Sequence, residues 1–135
     1  MKSKLNCIML VDDNQDDNFF HEREIKKNNP ATIVITKNNA MSALEYLKSA
    51  KDKVNLQPDL ILLDINMPGM NGWEFLQEYN LLAEELQGRV IIIMLTTSEN
   101  SDDIEKAKSG SFVSDFITKP MTKDIMKKLI EQYFK

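Results

Sequence analysis

Short unbroken runs of apolar and β-branched residues recur along this chain, and stretches of a different periodicity separate them. The runs are LNCIMLV (5–11), TIVIT (32–36), LILL (60–63), VIIIML (90–95) and FVSDFI (112–117). Several are apolar without alternation, the pattern of strands covered on both faces. Between them apolar residues return at helical spacing: Ala40, Ala43, Leu44 and Leu47; then Phe75, Leu76, Tyr79, Leu82, Ala83 and Leu86; then Ile125, Met126, Leu129, Ile130 and Tyr133. A weaker helix, over 16–27, rests on Phe19, Phe20 and Ile25. A short, mostly polar one over 102–109 offers Ile104 and Ala107, with Gly110 as its stop. Strand followed by helix, repeated along the chain, predicts an α/β fold: a five-stranded parallel sheet with five helices on its two faces.

In such sheets ligands bind beyond the carboxyl ends of the strands. Those ends carry Asp12 and Asp13 after the first strand, Asp64 after the third, Thr96 and Thr97 after the fourth, and Lys119-Pro120 after the fifth. Clustered carboxylates repel one another unless a cation joins them. Hard oxygen ligands suit Mg²⁺, which keeps several waters and readily shares a phosphate. One carboxylate could then act as a nucleophile and form an aspartyl phosphate, with the lysine and a hydroxyl on the phosphate oxygens.

Composition narrows the field without changing that picture. The length of 135 residues fits one domain with a proper core, and no repeat or linker divides it. A net charge of -4 argues against a surface built to neutralise nucleic-acid phosphates. The single cysteine, Cys7, has no internal partner, and no signal peptide or membrane-length apolar run is present, so a cytoplasmic location is expected.

The order of the motifs is what narrows the reading to a family. LVDDN (10–14), LLDINMPGMNG (62–72), MLTTS (94–98) and DFITKP (115–120) are collinear over almost the whole chain. In this the sequence resembles response-regulator receiver domains, the family that includes the single-domain chemotaxis regulator. The resemblance implies a flavodoxin-like fold with strand order 2-1-3-4-5, a single receiver domain over 1–135, and a stand-alone response regulator of a two-component system or phosphorelay. It implies Asp64 as the phosphoacceptor. Mg²⁺ would be held by Asp13, Asp64 and the backbone carbonyl of Asn66, with Asp12 acting through water. Thr96 would be the switch hydroxyl and Thr97, at a position usually alanine, the alternative. Lys119 would contact the phosphoryl group across a cis Lys119–Pro120 bond. Phe116 would be the aromatic that swings inward on activation. The partners implied are a sensor histidine kinase or histidine phosphotransfer protein, and a downstream protein contacted through the fourth helix, fifth strand and fifth helix. A monomer or a phosphorylation-linked dimer is expected. The chain would not be a turnover enzyme; it would catalyse only its own phosphorylation and dephosphorylation.

Each residue has a plainer reading too. An aspartate at a strand end is commonly a helix cap or turn residue. Asp12 and Asp13 could merely start the first helix, and Asp16 and Asp17 are read as acids that suit its dipole. His21 is read as a surface or partly buried structural histidine, Cys7 as a small core residue, and Trp73 as packing. Gly69 and Gly72 are assigned to loop geometry and the start of the third helix. Two other functions remain: a phosphatase working through an aspartyl phosphate, which generally needs an acid where Asn66 stands, and an adaptor that kept the fold without the switch.

Overall fold

The computed structural model describes residues 5–49, 57–65, 67–81, 91–96 and 115–134. Along the chain come β1 (Cys7–Val11), α1 (Gln15–Asn28), β2 (Ile33–Lys37), α2 (Ala40–Ser49), β3 (Leu60–Asp64), α3 (Gly72–Asn80), β4 (Ile91–Thr96), β5 (Asp115–Thr118) and α4 (Lys123–Tyr133). The strands form one five-stranded sheet in the order β2-β1-β3-β4-β5, with every neighbouring pair parallel. This is the expected flavodoxin-like order. Four of the five predicted helices are present; the one predicted over 102–109, the continuation of α3 through Leu86 and the start of the fifth strand at 112 lie outside the described residues.

The unbroken apolar runs have the cause the pattern suggested. All five residues of β1 and of β3 are buried. Met9, Val11, Ile61, Leu63, Ile92 and Met94 face α2 and α3, meeting Ala43, Leu44, Leu47, Phe75 and Tyr79. Ile8, Leu10, Leu60, Leu62, Ile93 and Leu95 face the opposite side, with Ile25 of α1 and Met126 and Leu129 of α4. Successive side chains alternate between faces, so a strand with helices on both sides must be apolar throughout. Each such side chain contributes about 1.5–3 kcal/mol by leaving water.

α1 forms, but of the three apolar residues that suggested it only Ile25 faces inward. Phe19 is 63% exposed and Phe20 37%, whereas Asn18, His21, Glu24 and Ile25 are buried. Buried polar side chains persist where they satisfy other polar groups, and these do. The His21 Nε2 accepts the Met121 backbone N–H at 3.2 Å, and the Glu24 carboxylate accepts that of Lys123 at 2.9 Å. The Asn28 side-chain amide donates to the Lys123 carbonyl at 2.7 Å. The helix itself is held by its Asn14 cap, acids in the first turn and lysines in the last.

Strand order reverses at β1, which feeds β2 on one side and lies beside β3 on the other. The carboxyl ends of β1 and β3 therefore flank the crevice where such folds place their chemistry. No helix among the described residues is long and apolar enough to cross a membrane.

Candidate functional site

Asp12 follows β1 directly, and its surroundings fix it. Its N–H donates to the Lys37 carbonyl at 3.0 Å, carrying the β1–β2 ladder one residue further. Its Oδ1 accepts the Asn14 N–H at 3.0 Å, while the Asn18 amide donates to its carbonyl at 3.0 Å. The cap of α1 is Asn14, whose side chain accepts from the N–H groups of Asp16 and Asp17. Capping is therefore done without Asp12 or Asp13; Asp12 spends only Oδ1, on the Asn14 N–H, which keeps Oδ2 for other work. Asp12 is only 2% exposed, while Asp13 is exposed.

β3 ends on Asp64, and the register that aligns Val11 with Leu63 sets it beside Asp12. Beyond it, the Ile65 N–H donates to the Leu95 carbonyl at 3.1 Å and the Gly72 N–H to the Ile65 carbonyl at 2.9 Å. The loop thus folds back tightly on the strand end. A Cβ at position 72 would stand 2.9 Å from the Asp64 carbonyl oxygen and 3.0 Å from the Ile65 Cα, so the start of α3 can come this close only with glycine there. Gly69, at φ +79°, supplies the left-handed turn before it. Asn71 and Glu74 close a reciprocal capping box that fixes the first turn of α3.

The outcome is a convergence of three carboxylates. One oxygen each from Asp12, Asp13 and Asp64 lie within 4.8 Å of one another. Lys119, brought in after β5 by a cis Lys119–Pro120 bond, faces them. Its Nζ stands 2.6 Å from Asp12 Oδ2, 2.8 Å from Asp17 Oδ2 and 3.4 Å from Asp64 Oδ1. Burial pushes the Asp64 carboxyl up to about 6, and the Asp12 and Asp13 charges add to this while Lys119 opposes it. Burial alone would pull the Lys119 ammonium down, but its bonds to Asp12 and Asp17 and the Asp12 and Asp64 charges outweigh that and hold it above the ordinary lysine range.

Asp17 is the residue that the sequence reading assigned wrongly. It is more than a dipole acid, because its carboxylate hydrogen-bonds Lys119 across 102 positions of chain. The available signal was a polar stripe on α1, with Asp17, His21, Glu24 and Asn28 spaced four, three and four residues apart. His21 belongs to the same stripe and is almost wholly buried, more deeply than expected. Phe116 is half-buried on β5, opposite Met94, and packs against the α2–α3 side of the core. Thr96 ends β4 in register with Thr118, which sets its backbone at the same rim as Asp64. Asn66 and Thr97 lie outside the described residues.

The donor set suits a divalent metal. It is all carboxylate oxygen, one member is exposed, and among the described residues a single ammonium faces the cluster, so negative charge is in excess there. Hard, oxygen-preferring divalent ions, Mg²⁺ among them, suit such ligands.

Comparison with known proteins agrees with this geometry. Residues 8–131 match the family model described as response regulator receiver domain. The nitrate/nitrite response regulator NarL of Escherichia coli is 31% identical over 125 residues, covering 93% of this chain but 53% of its own length. A two-component response regulator from Cytophaga hutchinsonii superimposes with a TM-score of 0.87 at 25% identity, over 96% of this chain and 97% of the other. The phosphorylated cyanobacterial phytochrome response regulator RcpA gives 0.78 at 30% identity, over 96% and 94%. Strand order, the acids at the rim and a family match over nearly the full length lead to one conclusion: the chain belongs to the response regulator receiver domain family, whose members act in two-component signalling.

Proposed function

We propose that Asp64 accepts a phosphoryl group from a phosphohistidine, on a sensor kinase or a phosphotransfer protein, and that the modified domain presents an altered surface to a downstream protein. The observation that carries this reading is the meeting of Asp12, Asp13 and Asp64 within 4.8 Å, faced by the Lys119 ammonium. Asp13 and Asp64, with the carbonyl of Asn66, would hold Mg²⁺ directly and Asp12 through water. When bound, the ion supplies positive charge to the phosphoryl group in transit.

The remaining work falls to the chain. With its pKa raised to about 6, Asp64 is still predominantly ionised at neutral pH and ready as a nucleophile. An Asp64 oxygen forms the new bond to phosphorus as the phosphorus–nitrogen bond breaks, and the leaving imidazole keeps the electron pair and takes a proton from water. Hydrolysis reverses the modification: water attacks phosphorus, the acyl–phosphate bond breaks, and the Asp64 carboxylate and inorganic phosphate are released. Lys119 and the Thr96 hydroxyl would bind phosphoryl oxygens, drawing the ends of β5 and β4 inward, and Phe116 would turn into the space so opened. The added charge, about two negative units, biases the domain toward the surface it favours.

Titration with beryllofluoride and Mg²⁺, followed by amide NMR, tests the proposal. Saturable shifts at the ends of β1, β3, β4 and β5, abolished in Asp64→Asn, are expected. Steady hydrolysis of assorted phosphate esters would instead support a phosphatase, and the absence of any adduct would support an adaptor.

A further inference from the structure

The Lys119 ammonium has three donors, and three carboxylates surround it. The contacts are unequal. Those to Asp12 and Asp17, at 2.6 and 2.8 Å, are short, and that to Asp64, at 3.4 Å, is the longest. Asp12 follows β1 and Asp17 lies in the first turn of α1, so both short contacts are to residues other than the one whose phosphoryl group the lysine would serve. Of the two, Asp12 already belongs to the carboxylate cluster that suits a metal, whereas Asp17 lies outside it. Asp17 is part-exposed, sits in the first turn of α1, and hydrogen-bonds Lys119.

We propose that Asp17 is a positioning residue that holds Lys119 in the resting domain and competes with the phosphoryl group on Asp64 for the same ammonium. The inference rests on the reading of Asp64 as the phosphoacceptor. Phosphoryl oxygens arriving on Asp64 recruit Lys119 by drawing it off Asp17. The strength of the Asp17 contact therefore sets how readily the modified state forms. The same exchange acts on α1, because the stripe that begins with Asp17 continues through His21, Glu24 and Asn28 to the backbone of Met121 and Lys123. Movement of Lys119 is thereby registered at the seam between α1 and α4.

The test is the half-saturating beryllofluoride concentration in saturating Mg²⁺, read by NMR. It is measured for the wild type, Asp17→Asn and Asp16→Asn, and for Asp17→Asn made in a Lys119→Ala background. Asp17→Asn should tighten beryllofluoride about two- to fivefold, the size expected of releasing a partly exposed ion pair. Asp16→Asn removes the same charge one residue away and should change nothing, and in the Lys119→Ala background the Asp17 effect should vanish. Unchanged affinity in Asp17→Asn, an equal gain in Asp16→Asn, or a gain that survives loss of the lysine would overturn the inference. Should the lysine-free protein not fold, the Asp16 comparison decides. A wild type that forms no adduct at all would instead remove the phosphoacceptor reading, a result distinct from an adduct indifferent to Asp17.

Discussion

Asp64 is at odds with its surroundings in the metal-free protein. It is buried, with Asp12 beside it and Asp13 close by, and its pKa is driven up to about 6. Between about pH 4, where an unfolded aspartate titrates, and that value the folded chain binds more protons than the unfolded one. Stability therefore falls as pH rises through this window. At pH 7 the penalty reaches about 3 kcal/mol at most. Asp64→Asn should stabilise the metal-free protein in urea unfolding at pH 7 by up to this amount, with the gain shrinking toward pH 4. An equal gain at both pH values would show that charge is not the cause. Asp12, Asp13, Asp64 and Lys119 were legible in the sequence because each directly follows an apolar strand, where the parallel topology collects strand ends. Asp17 was not. Its partner is fixed by the packing of α1 against the segment after β5; the polar stripe on α1 marks an inward polar face but does not name a lysine 102 residues away.

Helices α2, α3 and α4 follow the helical period of their apolar residues, and their existence was predictable for that reason. α1 departs from it because its inner face, Ile25 apart, serves backbone groups of residues 121–123 rather than the greasy core. His21 is neutral in that position: burial, then the Lys119 charge, lower its proton affinity. His21→Leu leaves the buried Met121 N–H without its acceptor and should cost about 1–3 kcal/mol. An imidazole with lowered affinity supports the fold fully above its ordinary titration range and loses that support as pH falls below about 6.5. The stability gap between wild type and His21→Leu should accordingly narrow on acidification, as measured by urea unfolding at a series of pH values. At the other helix start, Gly72→Ala should cost about 1–3 kcal/mol, because its Cβ meets unyielding backbone of the Asp64–Ile65 strand end in addition to the tip of the Met94 side chain. The loop that follows Asp64 should shift with it, visible as altered Asp64-region amide resonances.

The sheet as a whole makes the site: five separate strands, each too short to be stable alone, bring their carboxyl ends to one rim, and α1 and α4 clamp one face over it. A rigid, doubly covered sheet holds like charges together at a separation they would not choose, and this stored repulsion favours a divalent cation. Asp13→Ala, which removes the exposed member of the cluster, should weaken Mg²⁺ binding at least tenfold by calorimetry while leaving the circular dichroism spectrum unchanged. Unaltered affinity would place the ion elsewhere. The order of strands and the rim were readable in advance from runs and motifs taken together, whereas the side of the lysine that rests against α1 depended on distances that only the assembled fold sets. Mass spectrometry of the intact protein after incubation with acetyl phosphate and Mg²⁺ addresses the central claim most directly. The wild type should gain the mass of one phosphoryl group, labile to hydroxylamine, and Asp64→Asn should gain none. A wild type that stays unmodified, or an Asp64→Asn protein modified to the same extent, would contradict it.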